Sequence, residues 1–143
     1  MRVKQISVFL ENKVGRLSEV TRILGEEGIN IRALSIADTT EFGILRMIVD
    51  KPDSAYKVLK DKGFATSMTD VLAVEVEDKP GGLAKVLEIL KEAGINVEYV
   101  YAFVTPSGKN ALVVIRVEKM EEGEKVLTNA GVRLLPPEEV YAL

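Results

Sequence analysis

Residues 10–31 of the chain, LENKVGRLSEVTRILGEEGINI, return as residues 76–97, VEDKPGGLAKVLEILKEAGINV. Gly15 and Gly81 stand 66 positions apart, as do Gly28 and Gly94. A period that long marks a duplicated domain rather than a stack of short repeats. It divides the 143 residues into two halves, 1–69 and 70–143, each near the lower size limit for independent folding. Each half is therefore expected to need the other, or a second chain, to cover its apolar surface.

The hydrophobic pattern reads the same way in both halves. Ile6, Val8 and Leu10 alternate, as do Leu72, Val74 and Val76, which predicts first strands with one buried face. The spacing then becomes helical: Leu17, Val20, Ile23 and Leu24 form one stripe and Leu83, Val86, Ile89 and Leu90 the matching one. Gly28 and Gly94 suit left-handed C-caps. Second strands are predicted over Ile31 to Asp38 and Val97 to Val104. Turns follow, at Asp38-Thr-Thr-Glu and at Thr105-Pro-Ser-Gly-Lys-Asn.

Third strands bury Leu45, Met47 and Val49, matched by Val113, Ile115 and Val117. Second helices run from about Asp53 to Lys62 and from about Glu121 to Ala130, and Gly63 and Gly131 close them. Short fourth strands are predicted over Phe64 to Met68 and Val132 to Leu135. The order β-α-β-β-α-β predicts an α+β fold: two ferredoxin-like domains, each an antiparallel sheet with its helices on one face. Only Thr69 and Asp70 separate the halves, which leaves no room for a flexible tether and predicts a fixed relation between the domains. The tail from Pro136 leaves the last strand.

Composition removes several classes of function. Cysteine and histidine are both absent, which excludes disulfides, Cys/His zinc sites, thiol catalysis and the commonest general base. A net charge of −3 is the opposite of the basic footprint that nucleic-acid binding requires. No apolar run approaches the roughly 20 residues of a membrane span, and the N-terminus lacks the features of a signal peptide. The expectation is a cytoplasmic chain without membrane or nucleic-acid partners.

The informative local feature is the passage from first strand to first helix, Glu11-Asn-Lys-Val-Gly-Arg-Leu and Glu77-Asp-Lys-Pro-Gly-Gly-Leu. A helix opening there leaves free N–H groups that attract a carboxylate through unmet donors and the helix dipole. The Asn12 side chain offers a donor and an acceptor to a ligand bearing both ammonium and carboxylate, whereas Asp78 only accepts. Asn30 and Asn96 enter the second strands directly after the helix caps. The competing reading is local: Asn or Asp before a helix is most often an N-cap, and Asn after a Gly cap is often turn chemistry.

The combined pattern, strand, acidic-[N/D]-K-[V/P]-G-x-L, amphipathic helix, G-I-N-[I/V], strand, is similar to the ACT domain, the ligand-binding module of amino-acid metabolic enzymes. Both halves carry it, so the resemblance covers nearly the whole chain as a tandem pair and leaves over no catalytic domain. It implies amino-acid binding at an interface between two such domains, where the glycine loop of one faces the second strand of its neighbour. The ligand-binding positions it implies are Asn12, Val14, Gly15, Leu17, Asn30 and Ile31 in the first half. In the second they are Asp78, Pro80, Gly81, Leu83, Asn96 and Val97. Leu10 and Val76 stand where serine-sensing members carry His, which points to a less polar side-chain pocket. No catalytic residue, metal ligand or cofactor follows from it.

Tyr99, Tyr101 and Phe103 alternate on the side away from the helices, where the first half has Ala33, Ser35 and Ala37. Large apolar residues there point to a protein interface, and a homodimer is expected. RNA recognition modules of the same strand order place aromatics on the central first and third strands, where this chain has Gln5 and Ser7, or Val71 and Ala73. The expected function is a non-enzymatic amino-acid sensor. The alternative is a regulatory subunit of a separate biosynthetic enzyme, since residues 10–39 resemble the acetolactate synthase small subunit. An acylphosphatase-like enzyme on the same fold would need a phosphate-cradling Arg, but Arg16 becomes Gly82 in the second half and the Val-Gln-Gly-Val motif is missing.

Overall fold

A computed structural model describes residues 1–104 and 110–143. The elements run β1 (Val3–Glu11), α1 (Arg16–Glu26), β2 (Ile31–Asp38), β3 (Phe42–Val49), α2 (Pro52–Asp61), β4 (Ala65–Glu77), α3 (Gly82–Glu92), β5 (Val97–Ala102), β6 (Asn110–Val117), α4 (Met120–Asn129) and α5 (Pro137–Tyr141). They fall into two compact units. One holds Lys4–Thr69 and Tyr141–Leu143, the other Met1–Val3 and Asp70–Val140.

In the first-repeat unit β3 lies between β1 and β2 and is antiparallel to both, with Val8 opposite Leu45 and Ile36 opposite Leu45 on its other side. The alternating residues Ile6, Val8, Leu10, Leu45, Met47 and Val49 bury one face against Val20, Ile23 and Leu24 of α1 and Ala55 and Leu59 of α2. Burial of such side chains is worth about 1.5–3 kcal/mol each, which makes this helix-covered layer the main source of the unit's stability. The second-repeat unit repeats the plan: β6 lies between β4 and β5, and Leu72, Val74, Val76, Val113, Ile115 and Val117 pack on Val86, Leu90 and Leu127. The α+β reading, with antiparallel strands and helices on one face, holds in both. A bulge interrupts the register at the same place in each, between Ile31 and Ala33 and between Val97 and Tyr99.

Three expectations are corrected. The first fourth strand does not stop at Met68: β4 runs unbroken from Ala65 to Glu77. Thr69 and Asp70 carry neither Gly nor Pro to turn the chain, and β-branched Thr favours extended backbone. The other fourth strand is reduced to a single bridge, Val74 to Leu134, flanked by Glu75 N–H to Arg133 O at 3.0 Å and Leu135 N–H to Ala73 O at 2.9 Å. Pro136 and Pro137 follow at once, and without an N–H they cannot extend a ladder. Pro137 instead opens α5, the first-turn position proline suits.

Lastly, β5 ends at Ala102 rather than Val104, although Phe103 N–H still reaches Leu112 O at 3.0 Å. The turn expected over 105–110 lies outside the described residues, apart from Asn110.

Candidate functional site

Both first helices begin on a left-handed glycine: Gly15 has φ 86° and Gly81 φ 84°. Among the described residues no side chain caps either helix. Arg16 N–H bonds to Lys13 O at 3.3 Å and Glu19 N–H to Gly15 O at 2.9 Å, so the uncapped first turn presents the amides of Leu17 and Ser18. In α3 the same bonds, Gly82 N–H to Lys79 O and Lys85 N–H to Gly81 O at 3.0 Å, leave those of Leu83 and Ala84. The local alternative, Asn12 or Asp78 as the N-cap, is not what the side chains do.

Asn12 faces elsewhere. Its Nδ2 donates to the carbonyls of Thr39 and Thr40 at 3.4 and 3.2 Å, and its backbone N–H to Glu41 O at 2.8 Å. The donor that the sequence reserves for a ligand is thus spent on the β2–β3 turn, and the Oδ1 acceptor remains. Asn12 and Asp78 are therefore more alike toward a guest than their names suggest. A cleft of about 180 Å³ opens beside Asn12, walled by Leu10, Leu17, Ile36 and Gly43, with Asp38, Glu11, Lys13 and Arg16 at its rim.

In both repeats the loop glutamate pairs with the equivalent lysine and with a second cation that comes from a different position. Glu11 accepts from Lys13 Nζ at 2.8 Å and Arg16 at 2.8 Å, and Arg16 also reaches Glu19 at 3.3 Å. Lys13 first and Arg16 second hold the Glu11 carboxyl below the usual carboxylate range. Glu77 pairs with Lys79 at 2.7 Å and Lys85 at 3.5 Å, and Lys79 above all lowers it likewise. Lys85 occupies the place of Glu19. Gly82 occupies that of Arg16 because a Cβ there would lie 1.9 Å from Glu77 O.

The other sequence-predicted residues lie at the opposite end of the first helices. Asn30 is held by its backbone, N–H to Asp50 Oδ1 at 2.9 Å and O from Asp50 N–H at 3.0 Å, and Asn96 O accepts from Glu118 N–H at 3.1 Å. Their carboxamides are exposed and have no partner among the described residues. The 11 residues of α1 span about 16 Å, so Asn12 and Asn30 do not meet within one repeat, nor do Asp78 and Asn96. Val14, Gly15 and Leu17 are exposed beside Asn12, and Pro80, Gly81 and Leu83 beside Asp78; Ile31 and Val97 are half-buried against the cores.

Sequence reasoning gave no site role to Asp38, which it set at the end of the second strand and the start of the turn. It also passed over Phe9 and Phe42, whose rings stack at 5.1 Å between centroids. They stand on β1 and β3, on the face away from the helices, so central strands do carry aromatics there. Tyr99 and Tyr101 stack at 6.4 Å on β5. Among the described residues no group of three Asp, Glu, His or Cys side chains could hold a metal, and no helix is long and apolar enough to cross a membrane.

Comparison with known proteins places this geometry. The crystal structure of protein BT0572 from Bacteroides thetaiotaomicron is 48% identical, covers 100% of this chain and 98% of its own, and superposes with a TM-score of 0.94. The ligand-free regulatory subunit of aspartate kinase from Thermus thermophilus is 19% identical over 89% of this chain and 91% of its own, with a TM-score of 0.64. Aspartate kinase from Synechocystis is 20% identical over 94% of this chain and 26% of its own, with a TM-score of 0.59. At such identities the last two show a shared fold. No curated protein matches. Residues 1–142 match the profile of the ACT domain pair, and the chain belongs to that family.

Proposed function

We propose that the chain is a non-enzymatic, amino-acid-binding regulatory protein, with the ligand held at interfaces between ACT domains. The observation that carries this reading is the pair of uncapped helices opening on Gly15 and Gly81, whose amides fit a carboxylate. Asn30 and Asn96, too far from the glycine loops of their own repeats, would serve a loop supplied by another domain. The proposed site thus takes Asn12, Val14, Gly15 and Leu17, or Asp78, Pro80, Gly81 and Leu83, from one domain. It takes Asn30 and Ile31, or Asn96 and Val97, from another. Binding across an interface stabilises the associated state by the ligand's differential affinity, commonly about 1–3 kcal/mol, and a homodimer is the simplest such state.

Thermal unfolding with each of the twenty amino acids tests the reading. At least one raises the melting temperature, and Asn30→Ala with Asn96→Ala abolishes the shift. No response to any amino acid would refute it. A second reading, a regulatory subunit of a separate metabolic enzyme, is favoured by the likeness in fold to an aspartate kinase regulatory subunit along 91% of that chain. Co-elution with a larger catalytic chain from the native cell would support it.

A further inference from the structure

The duplication also yields a pair of equivalent clefts at the far end of the second helices. In the first repeat Phe9, Glu11, Arg16, Lys62, Phe64 and Ala65 border a cleft of about 230 Å³. In the second, Glu75, Glu77, Gly82, Ala130, Val132 and Arg133 stand at the matching positions around one of about 220 Å³. Each is closed on one side by the left-handed glycine that follows the second helix, Gly63 at φ 89° and Gly131 at φ 82°.

The shared geometry carries different chemistry. In the second cleft the charges answer one another. Arg133 reaches Glu75 at 3.7 Å and both oxygens of Glu139 at 2.7 Å, and Glu77 pairs with Lys79 and Lys85. In the first, Glu11 and Glu19 are matched by Lys13 and Arg16. The side chain of Lys62 makes no hydrogen bond or ion pair with any described residue, so its ammonium is the one uncompensated charge among the residues lining the cleft. The end of α2 does not oppose an anion there, because Gly63 N–H bonds to Lys60 O and Phe64 N–H to Leu59 O, both at 3.0 Å, and occupy carbonyls that would otherwise face out. Aromatic surface adjoins this cation. Phe9 stays 51% exposed although its ring stacks on Phe42, and Phe64 is half-buried. The second repeat has Glu75, Asn110 and Val132 at these three places.

We propose that the first-repeat cleft binds a single-ring aromatic monocarboxylate, its ring extending the Phe42–Phe9 stack and its carboxylate on Lys62. A cavity of this size takes one ring, being smaller than most drug-sized sites. An aromatic guest covers exposed ring surface and gains the stacking preference, and one negative charge balances the one unmatched positive. No carboxylate of this cleft is left to receive an ammonium, since Glu11 and Glu19 are both paired. The second cleft, with Arg133 drawn between Glu75 and Glu139 and no lysine at Ala130, does not bind the same ligand.

Titration of the isotope-labelled full chain with phenylacetate, followed by amide NMR shifts, tests the proposal. Shifts are expected at Gly63 and Phe64 and not at Gly131 and Val132. Phenylacetamide, which lacks the charge, and cyclohexylacetate, which lacks the aromatic ring, should each bind about threefold or more weakly, the scale of an exposed ion pair and of a ring contact. Lys62→Ala, which installs the residue that the second repeat carries there, should remove the preference for phenylacetate over phenylacetamide. Phe9→Leu should remove the preference over cyclohexylacetate. Both positions are exposed, so the variants fold, and unchanged spectra away from the cleft confirm it. The proposal is overturned if phenylacetate produces no shifts, if both clefts respond alike, if the shifts fall instead at Leu17 and Ile36, or if Lys62→Ala keeps the preference for the charged ligand. None of these results bears on amino-acid binding at the glycine loops, which the amino-acid panel decides separately.

Discussion

The side-chain amide of Asn12 lies 3.2 Å from the carbonyl oxygen of Thr40, which ties the glycine loop to the β2–β3 turn of the first repeat. Asn12→Asp replaces the donor with a carboxylate facing two carbonyls. The exposed position keeps the cost near the lower end of the hydrogen-bond range, about 0.5–1.5 kcal/mol. Urea denaturation should show that loss, and hydrogen exchange should rise at Glu41 and Phe42. Asp78→Asn, with no such bond to restore among the described residues, should leave global stability within about 0.5 kcal/mol.

Gly82 tolerates no side chain. A methyl group there meets Glu77 O at 1.9 Å, so Gly82→Ala should destabilise by about 1–3 kcal/mol, as overpacking does. Gly81→Ala, which has open space around it but φ 84°, should lose about 1–2 kcal/mol through left-handed strain alone. Arg16→Ala breaks only exposed ion pairs and should be the mildest of the three. Chemical denaturation of the three variants checks the ranking, and a Gly82→Ala chain as stable as the parent would contradict the close approach.

Leu24 and Leu90 hold equivalent, fully buried places in the two cores. Truncating either to Ala should cost about 2–5 kcal/mol. Equal losses within about 1 kcal/mol are expected from equivalent surroundings, and calorimetric or denaturant unfolding would measure them.

Acid should be felt at Glu11 and Glu77. Lys13, then Arg16, holds the first carboxyl low, and Lys79, then Lys85, the second. A carboxyl depressed in the folded state contributes stability that is fully present above the unfolded value of about 4.3. That contribution is lost as pH falls through the folded value. Both groups are exposed, so the effect is small and salt-sensitive. Side-chain NMR titration should find both midpoints below the ordinary carboxylate range, and Lys13→Met should move that of Glu11 upward.

Much of the fold was legible because its signals are local. Alternation at Ile6, Val8 and Leu10 and the stripe from Leu17 to Leu24 give strand and helix directly, and Gly28 and Gly94 do adopt φ 69° and 71°. What was missed depends on partners. Thr69 and Asp70 read as a junction, yet nothing in them turns the chain. Val132 to Leu135 read as a strand, yet two prolines end its pairing after one bridge. At the candidate site the loop glycines and uncapped helices follow from nearby residues. The use of Asn12 depends on a turn 27 residues away, and the position of Asp38 beside it follows only from strand register. No window along the chain contains either fact.

The shortage of space at Gly82 makes the two copies non-interchangeable. The backbone at Arg16 has room for a side chain, but the matching position cannot take one without first reshaping the backbone at Glu77. A chimera built from two first halves would inherit a permissive loop twice. One built from two second halves would carry two positions that admit glycine alone.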